Sequence, residues 1–213
     1  MRIVLFPGSF KPPHLGHLKI VETIMKKYKP DSLYIIISNK PRIIEEPFDK
    51  KLSEFSPIEL EKLAKKYKIN PDKKSIDQAI KDNIIPSISP NLSLTFWKKF
   101  IENIPNNDKI KISVSFLPSP ILTAFTIAKN KKLTHNDELL LVKSEKDQHN
   151  KRFSMFDAID AKKEEIIIPT FKDFNSWQIR KAIYNKDWKK VKEFIPKDPE
   201  YVKSLKKTIS FPS

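Results

Sequence analysis

Cysteine is absent from this chain, which removes disulfides, thiolate metal sites and a cysteine nucleophile from consideration. Glycine is nearly absent: Gly8 and Gly16 are the only two among 213 residues, where ordinary usage near 7% would supply roughly fifteen. Two glycines at that spacing exclude both the G-x-G-x-x-G dinucleotide fingerprint and the G-x-x-x-x-G-K-[ST] phosphate loop. Long hydrophobic runs are missing too, so no stretch approaches the length that crosses a bilayer. Ile3-Val4-Leu5-Phe6, directly after Met1, is too short for a signal h-region and has no small-residue cleavage site behind it. The expectation is a soluble, cytoplasmic protein with no membrane partner.

Arginine is scarce within an abundance of positive charge. Lysine and arginine together number 41, giving a formal net charge of +15, yet only Arg2, Arg42, Arg152 and Arg180 are arginines. The excess of Lys, Ile and Asn over Gly, Ala and Arg matches AT-rich coding, which raises lysine without a functional demand. A basic surface favours anionic ligands and leaves loose nucleic-acid contact open without favouring it. Runs such as Lys26-Lys27, Lys73-Lys74 and Lys189-Lys190 read as solvated faces.

The length suits one α/β domain spanning 1–213, with an insertion. Arg2 to Phe6 is a buried first strand ended by Pro7-Gly8. Leu18, Val21, Ile24, Met25 and Tyr28 recur at three and four, predicting a helix from about His14 to Lys29, and Leu33 to Ile37 is a second buried strand. This is a βαβ unit. Residues 43–108 are less regular: Ser56-Pro57 opens a helix to about Lys68, residues 69–91 read as an insertion or mobile loop, and a helix covers about Leu92 to Ile104 with Trp97 in its core stripe. Strands follow at Ile110–Phe116, Glu138–Val142 and Glu165–Ile168, with helices from Ser119-Pro120 to Lys129, from Asn175-Ser176 to Tyr184, and over Trp188–Phe194. About five strands alternating with helices predict a Rossmann-like, doubly wound parallel sheet whose ligands bind outside the strands' carboxyl ends.

The two glycines lie in "PGSFKPPHLGH", between the first strand and the first helix. His14 and His17 are three apart, so their rings share one face of the first helical turn. The free N–H groups and positive dipole end there favour a polyphosphate. Gly8 allows a sharp turn or close approach to the backbone, and Gly16 keeps a side chain away from an incoming base or phosphate. His135 and His149 lie in polar sequence and read as surface residues.

This segment resembles the HIGH-type nucleotidylyltransferase superfamily, whose signature is G-[ST]-F-x-P-x-H-x-G-H. Gly8, Ser9, Phe10, Pro12, His14, Gly16 and His17 fit it, while Lys11 stands where that family usually shows Asp or Gln. A second resemblance is to the family's [IV]-S-[ST]-T-x-[IV]-R: Ser176, Ile179 and Arg180 fit, with Asn175 for a capping Ser and Trp177 for a phosphate-binding Thr. Pro118-Ser119-Pro120 is similar to the P-S-Y-T segment of nicotinamide mononucleotide adenylyltransferases. Lys143 to Asp147, with Arg152-Phe153, is similar to the family's G-x-x-x-D and R-F, with Lys143 at the glycine.

The resemblance implies transfer of a nucleotidyl group from a nucleoside triphosphate to a phosphate monoester, nicotinamide mononucleotide-like in one version, with release of pyrophosphate. His14, His17, Lys40 and Arg180 are the implied catalytic residues. Gly8, Ser9, Phe10, Gly16, Arg42, Ser119, Asp147, Ser176 and Ile179 are the implied nucleotide-binding ones. ATP is the implied donor, because Thr170-Phe171-Lys172-Asp173 lacks the R-T-x-G of the family's CTP enzymes; CTP is the alternative. Mg²⁺ would arrive on the triphosphate, since no carboxylate cage accompanies the histidines. A reading from another class is a nucleotide- or RNA-binding protein that keeps the phosphate site without the chemistry. Oligomeric state is left open.

Overall fold

The structure is a computed structural model, and it describes residues 1–147, 149–169, 174–196 and 199–208. Five parallel strands form the central sheet: β1 (Arg2–Gly8), β2 (Ser32–Ile37), β5 (Ile110–Val114), β6 (Glu138–Ser144) and β7 (Lys162–Ile168). Their order is β5-β2-β1-β6-β7. The chain steps outward from β1 to one edge, then restarts beside β1 and steps to the other. The switch point therefore lies between the carboxyl ends of β1 and β6.

Alternation assigns the strand side chains to two cores. Val4 and Phe6 of β1, with Leu140 and Val142 of β6, face helices α1 (Leu15–Tyr28), α6 (Ser176–Tyr184), α7 (Trp188–Phe194) and α8 (Pro199–Thr208). The same core takes Phe96, Trp97 and Phe100 of α4 (Pro90–Ile101). Ile3, Leu5, Leu139 and Leu141 face α5 (Pro120–Asn130) and Phe156. Covered on both faces, the central strands read as continuous apolar runs rather than alternating ones. This is the doubly wound α/β architecture that the element pattern predicts.

The segment after β2 builds a third apolar cluster. A short antiparallel ladder pairs β3 (Arg42–Ile43) with β4 (Ser87–Ile88), and α2 (Pro57–Tyr67) and α3 (Lys73–Lys81) pack beside it. Ser56 caps α2 and Asp72 caps α3, each accepting from a backbone N–H in the first turn. Residues 69–91 are thus not a featureless loop: Ile76, Ala79 and Ile80 form a buried helical stripe. Lysines on the other face of α3 dilute its apolar signal. Helix α8 is a further element that its short, lysine-rich sequence hides.

The remaining differences are at boundaries. Pro7 and Gly8 continue β1, with Gly8 paired to Ile37, so Gly8 is extended strand and not a turn. Strand β7 begins three residues before Glu165, because Lys162, Lys163 and Glu164 lie exposed on the sheet edge and carry no apolar signal. Among the described residues no helix is long and apolar enough to cross a membrane.

Candidate functional site

A cleft of about 1100 Å³ opens at the carboxyl ends of the strands. Its floor is the switch point itself, with Pro7 and Gly8 of β1 and Lys143 and Ser144 of β6. The loop after β1, the start of α1, the loop before α5 and the start of α6 surround that floor.

Phe10 organises the first wall. It holds a left-handed backbone (φ 50°), and its buried ring packs edge-on against Phe6, His17 and Trp97 at 4.9, 5.0 and 5.4 Å between centroids. That ring occupies the space in front of Gly8: a Cβ there would lie 2.6 Å from Cζ of Phe10. A Cβ at Gly16 would meet the His14 ring at 3.0 Å and Phe174 at 3.1 Å. Both glycines line the cleft and also make room for neighbouring side chains, Phe10 at Gly8 and His14 with Phe174 at Gly16, a packing demand that the sequence does not reveal.

His14 and His17 stack at 3.7 Å with 28° between their planes, at the first turn of α1. The His14 backbone N–H donates to Nδ1 of His17 at 3.3 Å. That leaves Nε2 of His17 as its N–H donor in the neutral ring. Nδ1 of His14 is buried without a hydrogen-bond partner. Burial pushes His14 down to about 3 and His17 well below the ordinary histidine value, the second helped by His14 beside it. Both rings are neutral at pH 7, and a bound polyanion would draw them back toward the charged form.

Lys11 is fully buried. Its ammonium donates to the carbonyls of Ser9 and Ser38, at 3.2 and 2.5 Å. Burial, with the charges of Arg42 and Arg180 nearby, lowers it to about 7. Arg42 reaches within 3.5 Å of Ser9 Oγ through Nε, while its Nη1 is buried without a partner. Burial lowers Arg42 from the ordinary arginine value.

Across the cleft, Asp147 accepts from Arg152 at 2.7 Å and from Ser144 at 3.0 Å. Arg152 also donates to the Pro7 carbonyl at 3.4 Å, and its Nε is buried without a partner. Lys143 is buried at the end of β6 and pairs with Glu165. Ser119 caps α5 and lines the cleft beside Pro118 and Pro120.

The structure brings Gly8, Ser9, Phe10, His14, Gly16, His17, Lys40, Arg42, Ser119, Asp147 and Ser176 around this one cleft. Ile179 and Arg180 are elsewhere. Ile179 is a core residue with no exposure. Arg180 is buried, with Nη1 donating to the Lys11 carbonyl at 2.6 Å and Nη2 to that of Phe48. Burial lowers it to about 9. It thus holds the loop from behind, because both ends of its guanidinium fork are used on backbone. Trp177 projects outward, 38% exposed and outside the cleft. Thr170 to Asp173 lie outside the described residues.

Arg180 belongs to a series. Ser176 donates to the Pro12 carbonyl at 3.0 Å, and Tyr201 to the Pro13 carbonyl at 3.0 Å. Three consecutive carbonyls, of Lys11, Pro12 and Pro13, are each held by a side chain of α6 or α8. Tyr201 in this role, and Lys143 on the cleft floor, are not identifiable as site residues from the sequence. Lys143 is signalled only as the residue standing in for a glycine. Tyr201 carries no local signal.

Stacked histidines at a helix start, on the switch point of a parallel sheet, are an arrangement whose free N–H groups and positive dipole end suit phosphate. A family model described as cytidylyltransferase-like matches residues 5–129. The chain belongs to that family, the HIGH-type nucleotidylyltransferases. No curated protein matches it. Among solved structures it is similar to the NadR protein in complex with NR, at 12% identity and a TM-score of 0.49, over 88% of this chain and 43% of that one. It is also similar to Plasmodium falciparum nicotinic acid mononucleotide adenylyltransferase complexed with NaAD, at 14% identity and a TM-score of 0.47, over 97% of this chain and 95% of that one. The chain spans less than half the length of the NadR chain.

Proposed function

We propose that this nucleotidylyltransferase transfers the AMP moiety of ATP to a phosphate monoester and releases pyrophosphate. The observation that carries the reading is the stacked His14–His17 pair at the start of α1, facing the cleft beside Gly8, Ser9 and Phe10. An oxygen of the acceptor phosphate attacks the α-phosphorus. The bond from that phosphorus to the oxygen bridging to the β-phosphate breaks, and pyrophosphate leaves with the electron pair. No covalent enzyme intermediate is required, so positioning and charge stabilisation supply the rate.

His17, with Nδ1 occupied, presents an N–H to the α-phosphate or the departing oxygen, and His14 shares the task. Ser9 and the Phe10 backbone hold phosphate oxygens. Lys40 and Arg42 meet the acceptor phosphate, and the start of α6 at Ser176 faces the β- and γ-phosphates. Magnesium would ride on the triphosphate: the carboxylates lining the cleft are Asp77 and Asp147, and Asp147 is already engaged by Arg152 and Ser144.

The preference for ATP rests on two sequence features, the missing R-T-x-G at Thr170–Asp173 and the Pro118-Ser119 segment. The second also supports a nicotinamide mononucleotide-like acceptor. Pyrophosphate release should fall by about 10²–10³-fold in His17→Ala. Release at the wild-type rate in that variant rejects the assignment. In a titration of both nucleotides, tighter binding of CTP than of ATP reverses the choice of donor.

A further inference from the structure

Lys11 is fully buried, and the reaction described above gives it no part. Its ammonium donates to the Ser9 and Ser38 carbonyls at 3.2 and 2.5 Å. Ser9 follows β1 and Ser38 follows β2, and both line the cleft, which Lys11 itself does not reach. The Ser38 N–H in turn donates to the Gly8 carbonyl at 2.8 Å. The ammonium therefore lies one hydrogen bond behind the cleft wall, tying the loop after β1 to the end of β2.

The charge gathered there has no counter-ion. Arg42 faces Lys11 from β3, and Arg180 faces it from α6, its Nη1 donating to the Lys11 carbonyl at 2.6 Å. Arg42 reaches only to Ser9 Oγ, and both ends of the Arg180 fork go to backbone. Among the described residues none of these three cations forms an ion pair. Glu54 and Asp49 act on Arg42 and Arg180 from farther off. Positive charge without a partner costs most where water is excluded, and Lys11 is accordingly pushed down to about 7. What the cluster lacks is the negative charge that a polyphosphate in the cleft would bring.

We infer that Lys11 is a positioning and charge-bearing residue of the phosphate site, and that a polyphosphate entering the cleft drives a proton from solvent onto its amine. The new N–H bond uses the amine lone pair, and no bond of the ligand breaks. Neutral or charged, the amine has the two N–H donors that the Ser9 and Ser38 carbonyls need. Only the charge behind the cleft changes. This rests on the reading that polyphosphate occupies the cleft, but it is tested apart from turnover.

The test is calorimetric titration of the full chain with inorganic triphosphate, the portion that ATP and CTP share. Salt at about 0.2 M screens the surface lysines. Repeating each titration in two buffers of unlike ionisation heat counts the protons taken up on binding. Lys11→Gln, which keeps an N–H donor without the charge, is the reference. Titration of the ligand, of His14 and of His17 is common to both proteins and cancels in the difference. The variant should bind about tenfold more weakly at pH 6, with the gap closing toward pH 9. That gap corresponds to about half a proton more taken up by wild type near pH 7.5. Lys11→Met, apolar and of similar length, should repeat both results and decides the matter should the first variant fold poorly. A gap of equal size at every pH, or equal proton uptake, shows a purely structural lysine and overturns the inference. Wild type that fails to bind triphosphate rejects the polyphosphate cleft itself. Triphosphate binding without pyrophosphate release from ATP or CTP rejects the transfer reading alone.

Discussion

A methyl group added at Gly8 would sit 2.6 Å from the Phe10 ring, which is itself fixed among Phe6, His17 and Trp97. An aromatic ring in a close-packed core has nowhere to yield, so Gly8→Ala should cost about 1–3 kcal/mol. Thermal unfolding measures it, and an unchanged midpoint would show that the ring moves freely. Gly16 is tighter by less, with contacts of 3.0–3.1 Å. Its neighbour is the His14 ring, so Gly16→Ala acts on the position of that histidine before it acts on any ligand. The glycines are legible in the sequence as unusual. That their partners are Phe10 and His14 is not, because the pairing depends on a left-handed residue at Phe10 that no residue preference announces.

Helices α6 and α8 act on the site through backbone. Arg180, Ser176 and Tyr201 satisfy the carbonyls of Lys11, Pro12 and Pro13, in a loop whose two prolines have no N–H of their own to offer. Tyr201→Phe removes one buried hydrogen bond and leaves a carbonyl unpaired, a loss of about 1–3 kcal/mol. Because the carbonyl belongs to the residue before His14, pyrophosphate release should fall as well, with donor binding less affected. A change in stability without any change in turnover would separate this bond from the site. The segment after β2 is tied down in a similar way: Glu45 accepts from Lys66 at 2.8 Å and from Tyr67, and Lys66 donates to Tyr184 of α6 at 3.2 Å. Repeating elements with capping Ser-Pro pairs are readable in sequence. The docking of one element on another, made by single long side chains, is not.

Over the whole molecule, burial of bases sets how stability responds to pH. His14 and His17 stay neutral in the folded state, held at about 3 and well below the ordinary value, whereas in the unfolded chain they take up protons below about 6.5. The unfolded state then binds more protons, so stability falls as pH drops below 6.5. Lys11, lowered to about 7 from an unfolded value near 10.5, has the same sign: between those values the unfolded chain holds the extra proton, and stability rises with pH. The unfolding midpoint should therefore climb from pH 5.5 to pH 8.5. Lys11→Met should flatten the upper half of that rise, and a midpoint in wild type that falls over this range would contradict both assignments. The central strands and the βαβ start were within reach of hydrophobic pattern alone, since each central strand is a continuous apolar run, whereas their order in the sheet depends on pairing between distant segments.

Local sequence determined the elements, the parallel sheet and the loop that carries Ser9, His14 and His17, because the periodicity of apolar residues and the spacing of a short motif are properties of neighbours in the chain. Tertiary structure alone decided that Arg180 faces backbone instead of the cleft, that Tyr201 holds the loop, and that Ile76, Ala79 and Ile80 of α3 close a core of their own. Each of these depends on residues far apart in the chain meeting through burial and directional hydrogen bonds, and such meetings leave no periodic trace in the sequence.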